Sequence, residues 1–215
     1  MRRRHAPVPA RSARTLDIPV PPDSERLDEY LASKLGSKAA ARRAISQVAG
    51  DFGLPAGAPE NVSAALALTK LGCDVDRIAK SLAWGEFEDY CAMAMSAAGY
   101  AVRKNVRLRK PTRQIDIVAE SASLVLSVDC KHWRRGAGQA ALAAPALAQA
   151  ERTRLYAGRS GKGGGVAFLP MLLTMMDNQV KVVEGVPVVP LQALSGFLSS
   201  VSRFDEGFSF IKAGS

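Results

Sequence analysis

Asp116, Asp129 and Lys131 are the residues of this chain best suited to chemistry. They lie in two neighbouring apolar runs, Ile115-Asp116-Ile117-Val118-Ala119 and Leu124-Val125-Leu126-Ser127-Val128-Asp129-Cys130-Lys131, with twelve residues between the two acids. Side chains alternate faces along a strand. Asp129 and Lys131 therefore point one way, while Leu124, Leu126, Val128 and Cys130 point the other and can form core. Two carboxylates and an ammonium at the rim of a sheet suit a divalent metal ion and a phosphodiester. The acids offer hard oxygen ligands, and the ammonium balances charge gathering on the phosphate oxygens.

The elements that must position these residues follow from pattern. Residues 86–98 form a helix with Phe87, Cys91, Ala94 and Ala98 on its apolar stripe, ended by Gly99. Strands are expected over 100–108, 114–120 and 123–130, with a turn at Lys110-Pro111-Thr112. The two-residue link Ser121-Ala122 makes the last two an antiparallel hairpin. After the flexible Gly136-Ala137-Gly138, a helix with Pro145 in its first turn runs to about Tyr156. On it, Gln149, Arg152 and Tyr156 share one face. Residues 166–176 form a buried strand that Pro170 weakens, 180–190 one or two more strands, and 191–201 a helix.

Upstream, residues 1–22 are a basic flexible tail and residues 23–82 a helical region, leaving 83–215 as the domain that carries the acids. Asp23 or Ser24 caps a helix bearing Leu27, Leu31 and Leu35 that ends at Gly36, and a second helix spans 37–48. A Gly/Pro-rich loop over 50–59 precedes a helix over 62–71 capped by Asn61. Gly72-Cys73-Asp74 then turns the chain into a short helix over 75–82. Helix, three-residue turn, helix is also the outline of a DNA-binding helix-turn-helix.

The chain of 215 residues carries a formal net charge of +9. Such an excess points to a polyanionic partner, most often nucleic acid. Arg103, Lys104, Arg107, Arg109, Lys110 and Arg113 cluster with no acid among them, and Arg134 and Arg135 follow Lys131 closely. Flanking the acid site, they are candidates for tracking phosphates, joined by Arg152. Aromatic residues are not interleaved among them, which argues against a platform for stacking single-stranded bases. No run reaches the roughly 18 apolar residues of a membrane span. The start of the chain lacks the apolar core of a secretory signal. Cys73, Cys91 and Cys130 are odd in number and lie in apolar contexts, as expected of reduced thiols. The expected location is the cytoplasm, with no membrane partner.

Gly85-Glu86-Phe87-Glu88, Gly99-Tyr100-Ala101-Val102, Gln114-Ile115-Asp116-Ile117-Val118-Ala119 and Val128-Asp129-Cys130-Lys131-His132-Trp133 together resemble the PD-(D/E)xK nuclease superfamily. Within it they look like the Mrr-type restriction endonuclease branch, to which archaeal Holliday-junction resolvases are related. The resemblance covers residues 82–201. It implies an α/β fold with a restriction-endonuclease-like core: a mixed central β-sheet flanked by helices, in the order α-β-β-β-α-β, here preceded by a small α-helical region. It also implies a DNA endonuclease using Mg²⁺, with Mn²⁺ as substitute, that leaves a 5′-phosphate. Asp116, Asp129, the main-chain carbonyl of Cys130 and Glu88 would hold the metal, and Lys131 would orient the attacking water or stabilise developing charge. Gln149 matches a glutamine that faces the active site in related nucleases. Position 115 is Ile where the superfamily name has Pro, and the second acid is Asp129, one methylene shorter than Glu.

Two other readings remain open on sequence: a nuclease-fold protein that binds DNA without cutting it, and a regulator whose N-terminal helices read DNA. His132 is expected to be structural and Trp133 to pack. Cutting two strands calls for two sites, so a homodimer is expected, with residues 180–190 and the C-terminal helix as apolar candidates for its interface.

Overall fold

The computed structural model describes residues 26–54, 57–163, 165–202 and 205–212. The basic tail at 1–22 and the cap expected at Asp23 or Ser24 lie outside them. Four helices come first: α1 (Leu27–Leu35), α2 (Lys38–Asp51), α3 (Glu60–Lys70) and α4 (Val75–Lys80). Gly36 ends α1 in the left-handed conformation at φ 81°, as its lack of Cβ allows. Ser37 caps α2 by accepting from the Ala40 N–H at 3.1 Å. α2 continues through Gly50, so the loop expected from residue 50 begins later.

Asn61 is not a cap. It sits inside α3, fully buried, where its Oδ1 accepts from the Leu27 N–H at 2.8 Å and its Nδ2 donates to Glu86 at 2.9 Å. A buried amide must satisfy both its ends, and Asn61 does so by tying the start of α1 to α5 (Trp84–Ala97). Glu86 is the third residue of α5. It reaches back to the Ala83 N–H at 2.9 Å, satisfying a donor that the helix itself leaves open.

β1 (Ala101–Leu108), β2 (Arg113–Glu120) and β3 (Leu124–Lys131) follow, then α6 (Gln139–Ala157) and β4 (Ala167–Thr174). The hairpin β5 (Val182–Val183) and β6 (Val186–Pro190), a 3-10 turn at Leu191–Ala193, α7 (Leu194–Ser200) and β7 (Ile211–Lys212) complete the chain. The sheet runs β1-β2-β3-β4-β6-β5, with β7 added to β4. β1, β2 and β3 pair antiparallel, whereas β3–β4 and β4–β6 are parallel, so the sheet is mixed. The expected order of helix, three strands, helix and strand is the order found.

One face of the sheet packs Ile117, Ala119, Leu126, Val128 and Cys130 against Phe87, Cys91 and Met95 of α5 and against Leu27, Val62 and Ile78 of the N-terminal helices. The other face packs Val118, Val125 and Phe168 beneath Tyr156, and Leu172 and Val188 beneath Leu142 and Ala146, all on α6. The apolar run at 186–190 is wholly buried and forms core.

Pro145 lies in the interior of α6, beyond its first turn. A proline there forgoes a backbone bond and costs about 3 kcal/mol in an isolated helix. Burial of Leu142, Ala146, Gln149, Ala150, Thr153 and Tyr156 along the same helix outweighs that preference. Pro170 is tolerated in β4 because it falls between the β7 pairing at Ala167 and Phe168 and the β6 pairing that starts at Leu172. Among the described residues, no helix is long and apolar enough to cross a membrane.

Candidate active site

The site forms where two strands of a hairpin part. The β2–β3 ladder runs from Glu120↔Val125 to Ile117↔Val128 and stops, while β3 stays paired to β4 as far as Lys131↔Thr174. Asp129, Cys130 and Lys131 are therefore held from the β4 side and open toward β2. The Cys130 N–H donates to Asp116 Oδ2 at 2.8 Å. Extending the antiparallel register sets Asp116 across from Asp129.

Asp116 is irregular on its other side too. The β1–β2 ladder passes from Lys104↔Ile117 to Val106↔Ile115 and skips Asn105 and Asp116. Asn105 adopts φ 53°, a left-handed conformation that Asn tolerates better than most residues. The faces invert at this point. Ile117, Ala119 and Val102 belong to the core beneath α5, whereas Ile115, Val106 and Leu108 pack into the cluster beneath α6. A local break of this kind re-aims the side chains of both strands.

Asp129 is 6% exposed and sits between two cations. Arg152 Nη2 donates to its Oδ1 at 2.9 Å, and Lys131 Nζ lies 2.7 Å from its Oδ2. The ammonium approaches outside hydrogen-bond geometry, which leaves Oδ2 buried with no hydrogen bond. Gln149 is fully buried behind this pair. Its Nε2 donates to Ser127 O at 2.7 Å and to Ser127 Oγ at 3.0 Å, and its Oε1 accepts from Arg152 Nε at 2.7 Å. Ser127 thus fixes Gln149, Gln149 fixes Arg152, and the planar guanidinium fixes Asp129.

Burial pushes the Asp116 carboxyl up to about 6, against the Cys130 N–H, which favours the anion; the negative charges of Asp129 and Glu88 raise it further, and Arg152 opposes them. Glu88 is half-buried on α5 and accepts from Trp84 Nε1 at 2.5 Å. Among the described residues, no three His, Cys, Asp or Glu side chains gather closely enough to enclose an ion. The donor set still fits a small, water-rich divalent ion. Two carboxylates flank the parted strands. One has a buried oxygen that accepts no hydrogen bond and meets only the Lys131 ammonium, and the other is held against its own ionisation by burial first and then by negative neighbours, whose effect a cation would relieve.

Residues 79–157 match the family model of the Mrr-type catalytic domain, described as a restriction endonuclease. This segment falls in the PD-(D/E)xK nuclease superfamily. The matched nuclease segment runs from the end of α4 to the end of α6 and so contains every residue of the constellation above. The family is described as an endonuclease, and the mixed sheet flanked by helices agrees with a restriction-endonuclease-like fold. None of the curated proteins compared matches the chain. A crystal structure titled "Protein of Unknown Function AF1548" is similar at 20% identity and a TM-score of 0.32, over 40% of this chain and 44% of that one.

The nuclease segment sorts the other candidates by their partners. Glu86 accepts from Ala83 N, Asn61 and Arg26, which makes it structural, whereas Glu88 stands near enough to Asp116 to affect its charge. Arg103 pairs with Glu120 at 2.6 Å and also donates to the Tyr156 hydroxyl, and Lys104 pairs with Asp89. Arg107, Arg109, Lys110, Arg113, Arg134 and Arg135 are exposed. His132 lies against the Phe87 ring at 5.4 Å, and burial holds it below the usual imidazole value. Trp133 packs at the edge of the α6 cluster with Lys131 Nζ 5.9 Å from its ring centre.

Sequence reasoning missed Ser127 and Asn105. Ser127 was visible as the one hydroxyl inside an otherwise apolar run before Asp129, and Asn105 as a left-handed-tolerant residue inside a strand pattern.

Proposed function

We propose that this chain is a metal-dependent DNA endonuclease whose site is Asp116, Asp129 and Lys131, with Glu88 beside them. One observation carries the reading. Two acids and a lysine from adjacent strands converge where the strands part, and a buried Ser127–Gln149–Arg152 chain holds one of the acids in place. A binding surface alone has no physical need for a buried aspartate fixed in this way.

Asp116, Asp129 and the Cys130 carbonyl would hold Mg²⁺ or Mn²⁺, with Glu88 acting directly or through water. The Cys130 N–H points at Asp116, and in a strand the carbonyl of the same residue leaves on the same edge. A bound ion supplies charge neutralisation at the phosphate and a more acidic water. The rest falls to the chain's own groups. Lys131 offers an ammonium beside Asp129 to the developing charge on the phosphate, or orients the attacking water. Arg152, anchored at two atoms, keeps the Asp129 carboxylate from rotating. Gln149 touches no solvent, so its role is to position Arg152. Hydrolysis breaks one P–O bond and forms another with water, leaving a 5′-phosphate in the manner of the superfamily.

The test is cleavage of labelled linear duplex, methylated duplex, single strand, flap and four-way junction with Mg²⁺, Mn²⁺ or EDTA. Metal-dependent cutting that disappears with Lys131→Ala supports the reading, and the preferred DNA names the pathway. Tight DNA binding without cutting on every substrate refutes it in favour of a binding-only fold. The helix-turn-helix reading gains nothing from α4, which is six residues long with Ile78 and Ala79 buried. Two active sites for two strands call for a homodimer, which mass photometry at working concentration checks.

A further inference from the structure

We infer that the distal half of the β1–β2 hairpin is a rigid arm that grips the DNA backbone about three nucleotides from the cleaved bond. This rests on the nuclease reading above. The basic residues of the hairpin fall into two groups with different fates. Below the inversion, Arg103 shares Glu120 with Lys162, and Lys104 pairs with Asp89. Beyond it, Arg107, Arg109, Lys110 and Arg113 are exposed, and none of them pairs with a carboxylate among the described residues.

The inversion at Asn105 produces this division. With Val106 and Leu108 turned into the cluster beneath α6, strand alternation turns Arg107 to the opposite side, away from Glu120. Leu108 and Ile115 are buried with Tyr156 and Phe168, so the arm is rooted in the core. Its tip is clamped as well. Arg159, just past α6, donates to Arg109 O at 2.6 Å and to Lys110 O at 2.7 Å. A guanidinium spent on two backbone carbonyls fixes the loop, and the side chains of Arg109 and Lys110 remain outward. Cations already held in place lose less freedom on binding than cations on a mobile loop.

The arm leaves the site end of the sheet, because Arg113 precedes Asp116 on the same strand. Three residues of strand span roughly 10 Å. Phosphates advance about 3.4 Å along the duplex axis per nucleotide, so for an arm laid along that axis the span reaches a phosphate about three nucleotides away.

Binding of a labelled duplex in EDTA, over salt from ~50 to ~200 mM, tests the arm without activity. Each neutralised phosphate contributes about 0.9 to the slope of log affinity against log salt. The Arg107→Gln/Arg109→Gln/Lys110→Gln/Arg113→Gln variant is expected to lose a slope of about 3 to 4. A slope that stays within about one of the wild type overturns the arm. Arg159→Gln is expected to speed hydrogen exchange at the tip amides and to weaken duplex binding, and unchanged exchange there overturns the clamp. On an end-labelled duplex with Mg²⁺, the wild type is expected to stop cutting about three bonds short of one end, and the quadruple variant to lose that limit. A wild type that cuts up to the end overturns the spacing. If the wild type cuts nothing at all, the nuclease reading fails and the spacing fails with it, while the slopes judge the arm as a phosphate grip independently.

Discussion

Replacing Asp116 with asparagine is expected to stabilise the protein while removing its activity. The Asp116 carboxyl is raised from 3.8 to about 6, first by burial and then by the charges of Asp129 and Glu88. At about 1.4 kcal/mol per tenfold, the ionised folded protein carries roughly 3 kcal/mol of strain relative to the unfolded chain. Asp116 keeps some contact with solvent, and screening reduces this to about 1–2 kcal/mol. The sign follows from proton binding. Between pH ~4 and ~6 the folded state holds the proton more tightly than the unfolded state, so stability falls as pH rises through that window. Above it the wild type carries the whole penalty, and below it none. An asparagine carries no charge, and its Oδ1 can still accept from the Cys130 N–H, the bond seen at 2.8 Å.

The assay is thermal unfolding in EDTA across pH, with the two proteins compared at each value so that other titrating groups cancel. For a domain of this size, 1–2 kcal/mol corresponds to a rise of about 2–8 °C at pH ~7.5, shrinking toward zero near pH ~4. Adding Mg²⁺ is expected to raise the melting temperature of the wild type and not that of Asp116→Asn, because an ion that binds the folded state between the carboxylates stabilises it by mass action. A variant that melts lower than the wild type by the same margin at both pH values refutes the reasoning. Asp116 would then be a net stabiliser through its hydrogen bond, and neither its neighbours nor a metal site would explain its place.

Lys131→Ala is expected to lower the cleavage rate by about 10²-fold or more, with duplex binding in EDTA retained, as measured by single-turnover cutting and anisotropy. Arg152→Lys is expected to fail as a substitute, because one ammonium cannot donate along the fork that joins Gln149 to Asp129; its cleavage rate should match that of Arg152→Ala. Gln149→Ala leaves Ser127 and Arg152 short of partners in a buried setting, so it should cost about 1–3 kcal/mol in denaturant unfolding and lower the rate as well. Glu86→Ala should cost a similar 1–3 kcal/mol while the activity per folded molecule survives, whereas Glu88→Gln should lower activity with little change in stability.

Much of the frame was legible because it rests on local rules. The link after Glu120, three residues (121–123) where two were expected, left the chain little room for anything but a hairpin, and alternation set Asp129 and Lys131 on one face of it. The i, i+3 spacing of Gln149 and Arg152 was also visible, but not that the pair turns inward, since a polar stripe on a helix serves solvent equally well. Glu86 and Glu88 are the same residue type two positions apart on one helix. What separates them is Asn61, twenty-five residues upstream of Glu86 and brought to it only by packing. The basic cluster posed the same difficulty. Arg103 and Arg107 look alike in sequence, and only the folded positions of Glu120 and Tyr156 decide that one meets a carboxylate and a hydroxyl and the other does not.

The least legible feature was the position where regular strand structure fails, and that is where the chemistry lies. Asn105 takes a positive φ, Asp116 drops out of the ladder with β1, and the β2–β3 ladder ends at the register of Asp129. Each departure has a local cost: a strained backbone, a lost pair of strand bonds, a carboxylate buried against its preference. The three adjoin one another across three strands. The well-packed core on either side, from Phe87 to Phe168, supplies the stability that holds them there. A regular hairpin of the same composition would pair the 129–131 segment on both edges and leave no backbone oxygen there open to a ligand. The parting of β2 from β3 is therefore what converts an acidic, lysine-bearing strand pair into a candidate catalytic site, and Asp116 holds the open edge by accepting the Cys130 N–H that β2 no longer pairs.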